Sequence, residues 1–205
     1  MLRLIRFSSL LALICCQTAR SAPSPPADFV TVGTVSSAAG AAVDIPVYVR
    51  DTSATPLGID QPSGSRIQSY SIEVDYSPAA SVQSVTFARA GITQPLTPAF
   101  ESSPAAPGVI GLIDTFSEST NLIPFTSNAA LPGNQIGVLH FVIAAGAAPG
   151  STITLTLDPT LTQLTDEAGD ASTRETATAG NLTLVDGSIN VSATTPVRLQ
   201  EFDVK

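Results

Sequence analysis

The chain has 205 residues, 43% of them hydrophobic but only 5% aromatic and 13% charged, with a formal net charge of −8. A chain of this length fits one domain with an ordinary core, and the acidic balance argues against nucleic acid or anionic lipid surfaces as partners. Small residues, Thr, Gly and Pro dominate the remainder, a β-rich composition with many turns.

Residues 1–21 read as an export signal. Arg3 and Arg6 give a positive start, Phe7 to Cys16 form the apolar run, and Ala19-Arg20-Ser21 places small residues before a cleavable bond. The run is shorter than the roughly 20 apolar residues of a membrane span. Ile14 and Cys15 stand where a lipoprotein signal carries a small residue, so Cys15 and Cys16 do not make a lipidation site. Cleavage removes Arg3, Arg6 and Arg20 from nine basic residues, leaving six against 17 acids and a formal charge of −11. It also removes both cysteines, hence any disulfide or thiol nucleophile. The expected location is secreted, extracellular or in the cell envelope.

Residues 22–28, opening Ala22-Pro23-Ser24-Pro25-Pro26, read as a stiff spacer. Phe29 to Val35 is the first expected strand. Val43, Ile45, Val47 and Val49 then alternate with Asp44, Pro46, Tyr48 and Arg50, a half-buried strand bulged or close to an edge at Pro46. Asp51 to Ser65, with two prolines and two glycines, is a surface loop. From Ser69 to Tyr76 the alternation is strict: Tyr70, Ile72, Val74 and Tyr76 on one side, Ser69, Ser71, Glu73 and Asp75 on the other. Ser77-Pro78 stops that strand, because proline has no N–H to donate.

Further strands are expected over Val82 to Phe87, Val109 to Phe116, Ile136 to Ile143 and Thr152 to Leu157, closing with Leu182 to Leu184 and Asp186 to Val191. No segment outside the signal has a helical period. Short strands separated by Gly and Pro predict an all-β sandwich in one domain. The tail, 193–205, spaces Val197, Leu199 and Phe202 after Pro196, which favours an added edge strand or a partner-bound segment.

Catalytic constellations are missing. His140 is the single histidine and sits among Val138, Leu139, Phe141 and Val142, no Gly-x-Ser-x-Gly elbow is present, and Glu73 with Asp75 or Glu101 with Glu118 has no feature of a glycosidase pair. The chain is read as a non-enzyme. Asp166, Glu167 and Asp170 gather hard oxygen ligands around Gly169, a type suited to calcium although not at EF-hand spacing. Because calcium takes about six to eight oxygens, a solvated acidic turn is the first reading of this cluster and a calcium site the second. Asn181-Leu182-Thr183 and Asn190-Val191-Ser192 are formal glycosylation sequons.

Val47-Tyr48-Val49-Arg50, a loop, Ile67 to Val74, Asp75-Tyr76-Ser77-Pro78 and an apolar strand, followed by Gly137 to Ile143 and the closing Asp186-Gly187-Ser188-Ile189-Asn190-Val191, resemble the cohesin modules of bacterial cellulosomes. The likeness covers residues 29–192. It implies a jelly-roll β-sandwich of about nine strands that binds a dockerin, a calcium-loaded helical module, on an exposed sheet face. In that family an Asn and an Asp two residues apart supply hydrogen bonds to the partner; Ser69 and Ser71 stand there in this chain. Glu118 falls where an acidic contact residue of the family would lie, and Glu73 shares the face. Related carbohydrate-binding modules use a similar sandwich, so polysaccharide is the alternative ligand, and a purely structural envelope domain is a third reading. The low aromatic content, with no Trp and three Tyr, speaks against sugar platforms.

Overall fold

The computed structural model describes residues 26–193. The residues expected to form an export signal (1–21), the start of the expected spacer (22–25) and the tail from 194 on lie outside them. Alternation at period two governs the described chain: fourteen strand segments and two short 3₁₀ turns, in two sheets packed face to face. No helix among the described residues is long and apolar enough to cross a membrane.

The first sheet contains β1 (Asp28–Val32), β3 (Ala42–Arg50), β5 (Val82–Arg89), β9 (Asn134–Ile143) and β13 (Leu182–Val185), in the order β13-β1-β3-β9-β5. The second is built around β4 (Ser69–Ser77), with β8 (Val109–Thr115) along one side and, beyond it, the short β6 (Phe100–Ser102) and β7 (Ala105–Ala106). The other side of β4 is shared. β10 (Thr152–Leu157) pairs with Val74 to Ser77, and β11 (Gln163–Thr165), joined to β12 (Glu175–Thr176), pairs with Ser69 to Ser71. β14 (Gly187–Ser192) and β2 (Thr34–Ala38) extend the sheet past β10.

The strand expected over Phe29 to Val35 is two strands. It breaks at Gly33, β1 joining the first sheet and β2 the second: Gly33 donates its N–H to the carbonyl of Pro46, the next position in the β1–β3 register, and Pro46 has no N–H to return. The chain makes the same change at its other end, between β13 and β14. There Gly187 passes so close to Gly33 that a Cβ on it would lie 2.3 Å from the Gly33 carbonyl oxygen. Only glycine fits such a backbone crossing.

Pro46 faces Gly33 at the end of the β1 ladder, which its missing N–H stops; the register shift with β9 follows at Val47/Tyr48. The core is one cluster filled from both sheets. Ile45, Val47, Leu139, Phe141 and Ile143 of the first meet Tyr70, Ile72, Val74, Leu155 and Ile189 of the second, all fully buried. Tyr76 meets Phe141 edge to face across the interlayer, ring centroids 5.5 Å apart, a favoured aromatic geometry.

Asp51 to Ser65 is not simply a surface loop. Asp51, Thr55 and Leu57 are buried, and Glu175 and Asp28 are buried beside them. The loop is held down by its own backbone N–H groups, which donate to these carboxylates.

Candidate functional site

The pleat of β4 turns Tyr70, Ile72, Val74 and Tyr76 into the core and leaves Ser69, Ser71, Glu73, Asp75 and Ser77 on the outer face. Cross-strand register then decides what stands beside each. On β8 the partners of Ser69, Ser71, Glu73 and Asp75 are Thr115, Ile113, Gly111 and Val109. Ile113 and Val109 are half-buried on this outer face, and beyond Thr115 stands Phe100, 54% exposed. The polar strand therefore runs alongside an apolar flank. Gly111 has no side chain opposite Glu73, and a shallow dent of about 170 Å³ opens there, lined by Glu73, Pro104, Ala105, Ala106, Val109 and Gly111.

On the other flank Thr156 and Thr154 stand opposite Asp75 and Ser77, both exposed. Asp158, just past β10, completes an acidic group: one carboxylate oxygen each from Glu73, Asp75 and Asp158 lies within 4.8 Å of the others. Asp158 is fixed by hydrogen bonds from the Thr160 hydroxyl and the N–H groups of Thr160 and Leu161, which hold its carboxyl below the usual range. Glu73 is pushed up, first by partial desolvation and then by Asp75 and Asp158. Such a group favours a cation, most simply the basic side chain of a partner.

The sequence-predicted residues divide. Ser69, Ser71 and Glu73 do share one face. Ser69 is partly committed, its hydroxyl bonding the Asp114 carbonyl at 3.0 Å and the Thr115 hydroxyl at 2.8 Å. Glu118 lies off the strand, past the end of β8, where it accepts the Gly64 N–H at 2.8 Å and faces Arg66 at 3.6 Å.

The calcium candidates Asp166, Glu167 and Asp170 are not gathered into one ligand set. Asp166 is buried and accepts the Asp170 N–H and the Thr173 hydroxyl; Glu167 accepts the Glu118 N–H; Asp170 accepts the Ser172 N–H. Each carboxylate organises a different piece of turn. His140 is exposed on the outer face of the first sheet and pairs with Asp44 at 2.5 Å, with no nucleophile among its hydrogen-bond partners.

Val109, Ile113, Phe100 and Asp158 were missed as site residues from sequence. The stretch Val109 to Phe116 is apolar at nearly every position, so no alternation marks a face, and only the register against β4 shows that alternate members face outward. Phe100 lies in a proline-rich stretch with no period.

No protein-family model and no curated protein sequence matches the chain. Solved structures do. A type I cohesin–dockerin complex of Clostridium thermocellum superposes with a TM-score of 0.57 at 14% identity, over 84% of this chain and 98% of the cohesin. The sixth cohesin of scaffoldin B from Acetivibrio cellulolyticus, solved in complex with a dockerin, gives 0.56 at 15% identity over 81% and 99%. A non-cellulosomal cohesin from the archaeon Archaeoglobus fulgidus gives 0.52 at 11% over 82% and 92%. At these identities the likeness fixes the fold, and the described chain is a cohesin-like β-sandwich.

Proposed function

We propose that this chain is an exported, non-catalytic attachment module that captures another protein, a dockerin-like module by preference, on the outer face of β4 and β8. The observation that carries the reading is the pairing on that face of an apolar flank (Phe100, Ile113, Val109) with the acidic group Glu73, Asp75 and Asp158. An interface needs a desolvated apolar centre and charged neighbours that set orientation. The fold supports the same reading, since cohesins of this architecture have been solved bound to dockerins. Ser69 and Ser71 stand where that family places an Asn and an Asp, so the pairing chemistry differs and a partner with basic residues opposite Glu73 and Asp75 is expected. Polysaccharide fits less well: Tyr70 and Tyr76 are buried, and Phe100 is the exposed large aromatic among the described residues.

The test is a pull-down from secreted and envelope fractions of the source organism with the purified protein as bait, with calcium and with chelator. The expected result is recovery of a dockerin-bearing protein, lost with Ser69→Arg plus Ser71→Arg and with Ile113→Asp. Glu73→Lys plus Asp75→Lys should slow association about tenfold or more at low salt, since charge complementarity acts mainly on the encounter rate. Retention of polysaccharide, or a partner indifferent to all of these changes, would sink the proposal.

A further inference from the structure

Away from that face, three carboxylates are buried close to one another. Asp28 ends the spacer, Asp51 opens the loop after β3, and Glu175 lies on β12; all three are 0% exposed. Each is held in the same manner. One oxygen accepts a backbone N–H of the 51–65 loop: Asp28 Oδ1 from Thr52 at 2.7 Å, Asp51 Oδ2 from Ile59 at 2.9 Å, Glu175 Oε1 from Leu57 at 2.9 Å. The other oxygen of each, Asp28 Oδ2, Asp51 Oδ1 and Glu175 Oε2, is buried and has no hydrogen-bond partner. Asp60 joins from the loop. Its Oδ2 accepts the Ala54 N–H, while its Oδ1 and Asp51 Oδ1 lie 2.8 and 2.7 Å from the point a Cβ on Gly58 would occupy. The glycine leaves a gap between two carboxylate oxygens.

The nearby guanidinium does not bond them. Arg50 donates to the Ala129 carbonyl at 2.7 Å and the Thr52 hydroxyl at 2.8 Å, and lies over the Phe29 ring. Buried carboxylates are paired, protonated or bound to metal. A proton shared by the neighbouring Asp28 and Glu175 would serve those two and leave Asp51 and Asp60 facing each other.

We propose that Asp28, Asp51, Asp60 and Glu175 form a structural calcium site that fastens the 51–65 loop to the edge of the sandwich. The donors are all oxygen, with no His or Cys among them, which suits a hard cation. Several protein carboxylates together suit calcium, which takes about six to eight oxygens, better than magnesium, which keeps its waters. The set is wider than the exposed Glu73–Asp75–Asp158 group, the one trio among the described residues whose oxygens lie within 4.8 Å of one another. Binding therefore draws the loop inward. The loop runs through Gly64 and Arg66 directly into β4, so the cation also orders the approach to the candidate face.

The experiment is calorimetric titration of the chelator-stripped protein with calcium chloride, magnesium chloride as comparison, and thermal unfolding at each metal level. Expected is one calcium per chain and a rise in unfolding midpoint of about 5–10 °C at calcium a hundredfold above Kd. Asp51→Asn, Asp60→Asn and Glu175→Gln should each weaken binding at least tenfold, whereas Asp75→Asn plus Asp158→Asn leaves it intact. Should Asp51→Asn fail to fold, Asp60→Asn, on a more exposed side chain, carries the same test. Two outcomes overturn the site: a wild-type midpoint indifferent to calcium with Glu175→Gln raising it, which would mean shared protons, or a calcium effect abolished by the Asp75 and Asp158 changes alone.

Discussion

Asp114 shows how much one residue's surroundings decide. On β8 it points inward and accepts a hydrogen bond from the Tyr70 hydroxyl. Burial pushes its carboxyl up to about 6, opposed by that hydrogen bond, with Glu101 raising it further and Arg89 lowering it. Tyr70, itself desolvated and beside the carboxylate, is pushed far up and stays the donor. Because the folded carboxyl holds its proton more tightly than the unfolded one, its contribution to stability is fully present below the ordinary carboxylate pKa. It is lost as pH rises through about 6. Wild type should therefore lose on the order of 1–2 kcal/mol more than Asp114→Asn between pH 4 and pH 7 in denaturant titrations. Asn keeps an acceptor for Tyr70 and removes the charge, so equal pH slopes for the two proteins would refute the assignment.

At the scale of the element, the point of greatest constraint is the double crossing at Gly33 and Gly187. A Cβ on Gly187 would lie 2.3 Å from the Gly33 carbonyl oxygen and 2.7 Å from that of Val32, both backbone atoms that cannot swing aside. Gly187→Ala should cost about 1–3 kcal/mol, the usual penalty of overpacking. Gly146→Ala, where an added Cβ meets nothing within 4 Å, should be neutral within about 0.5 kcal/mol. Urea midpoints of the two variants decide it, and equal midpoints would mean the crossing is not tight. The same pair of glycines marks the limit of reading strands from sequence. β4 was legible residue by residue, since one solvated and one buried face impose strict alternation on Ser69 to Tyr76. The division of Phe29 to Val35 was not, because apolar residues continue across Gly33 and the change of sheet leaves no mark in hydrophobicity. The acids were harder still: Asp28, Asp51 and Glu175 look like ordinary surface residues until folding brings a spacer end, a loop and a short strand together. Glu118 fitted the family position in sequence, yet its carboxylate is used on the Gly64 N–H and Arg66.

For the whole molecule, the two ends of the described chain tie the sheets to each other. β1 pairs in parallel with β13 in one sheet and β2 in parallel with β14 in the other, each connection crossing at a glycine. Neither sheet can come apart without withdrawing a strand that continues into its neighbour, and the core they share is a single cluster. Unfolding should therefore be one cooperative event, despite a length beyond the roughly 150 residues within which two-state behaviour is usual. The chain supplies its own probes, having no tryptophan and three tyrosines. Tyr70 and Tyr76 are buried between the sheets, so tyrosine fluorescence reports the interlayer while far-UV circular dichroism reports the ladders. The two denaturation curves should superimpose with one midpoint. Calcium, if it fastens the 51–65 loop through residues of both β1 and β12, should move both curves together, because Asp28 belongs to one sheet and Glu175 to the other. Curves that separate, or a calcium shift seen by only one probe, would mean that the sheets unfold independently and that the crossing glycines do not couple them.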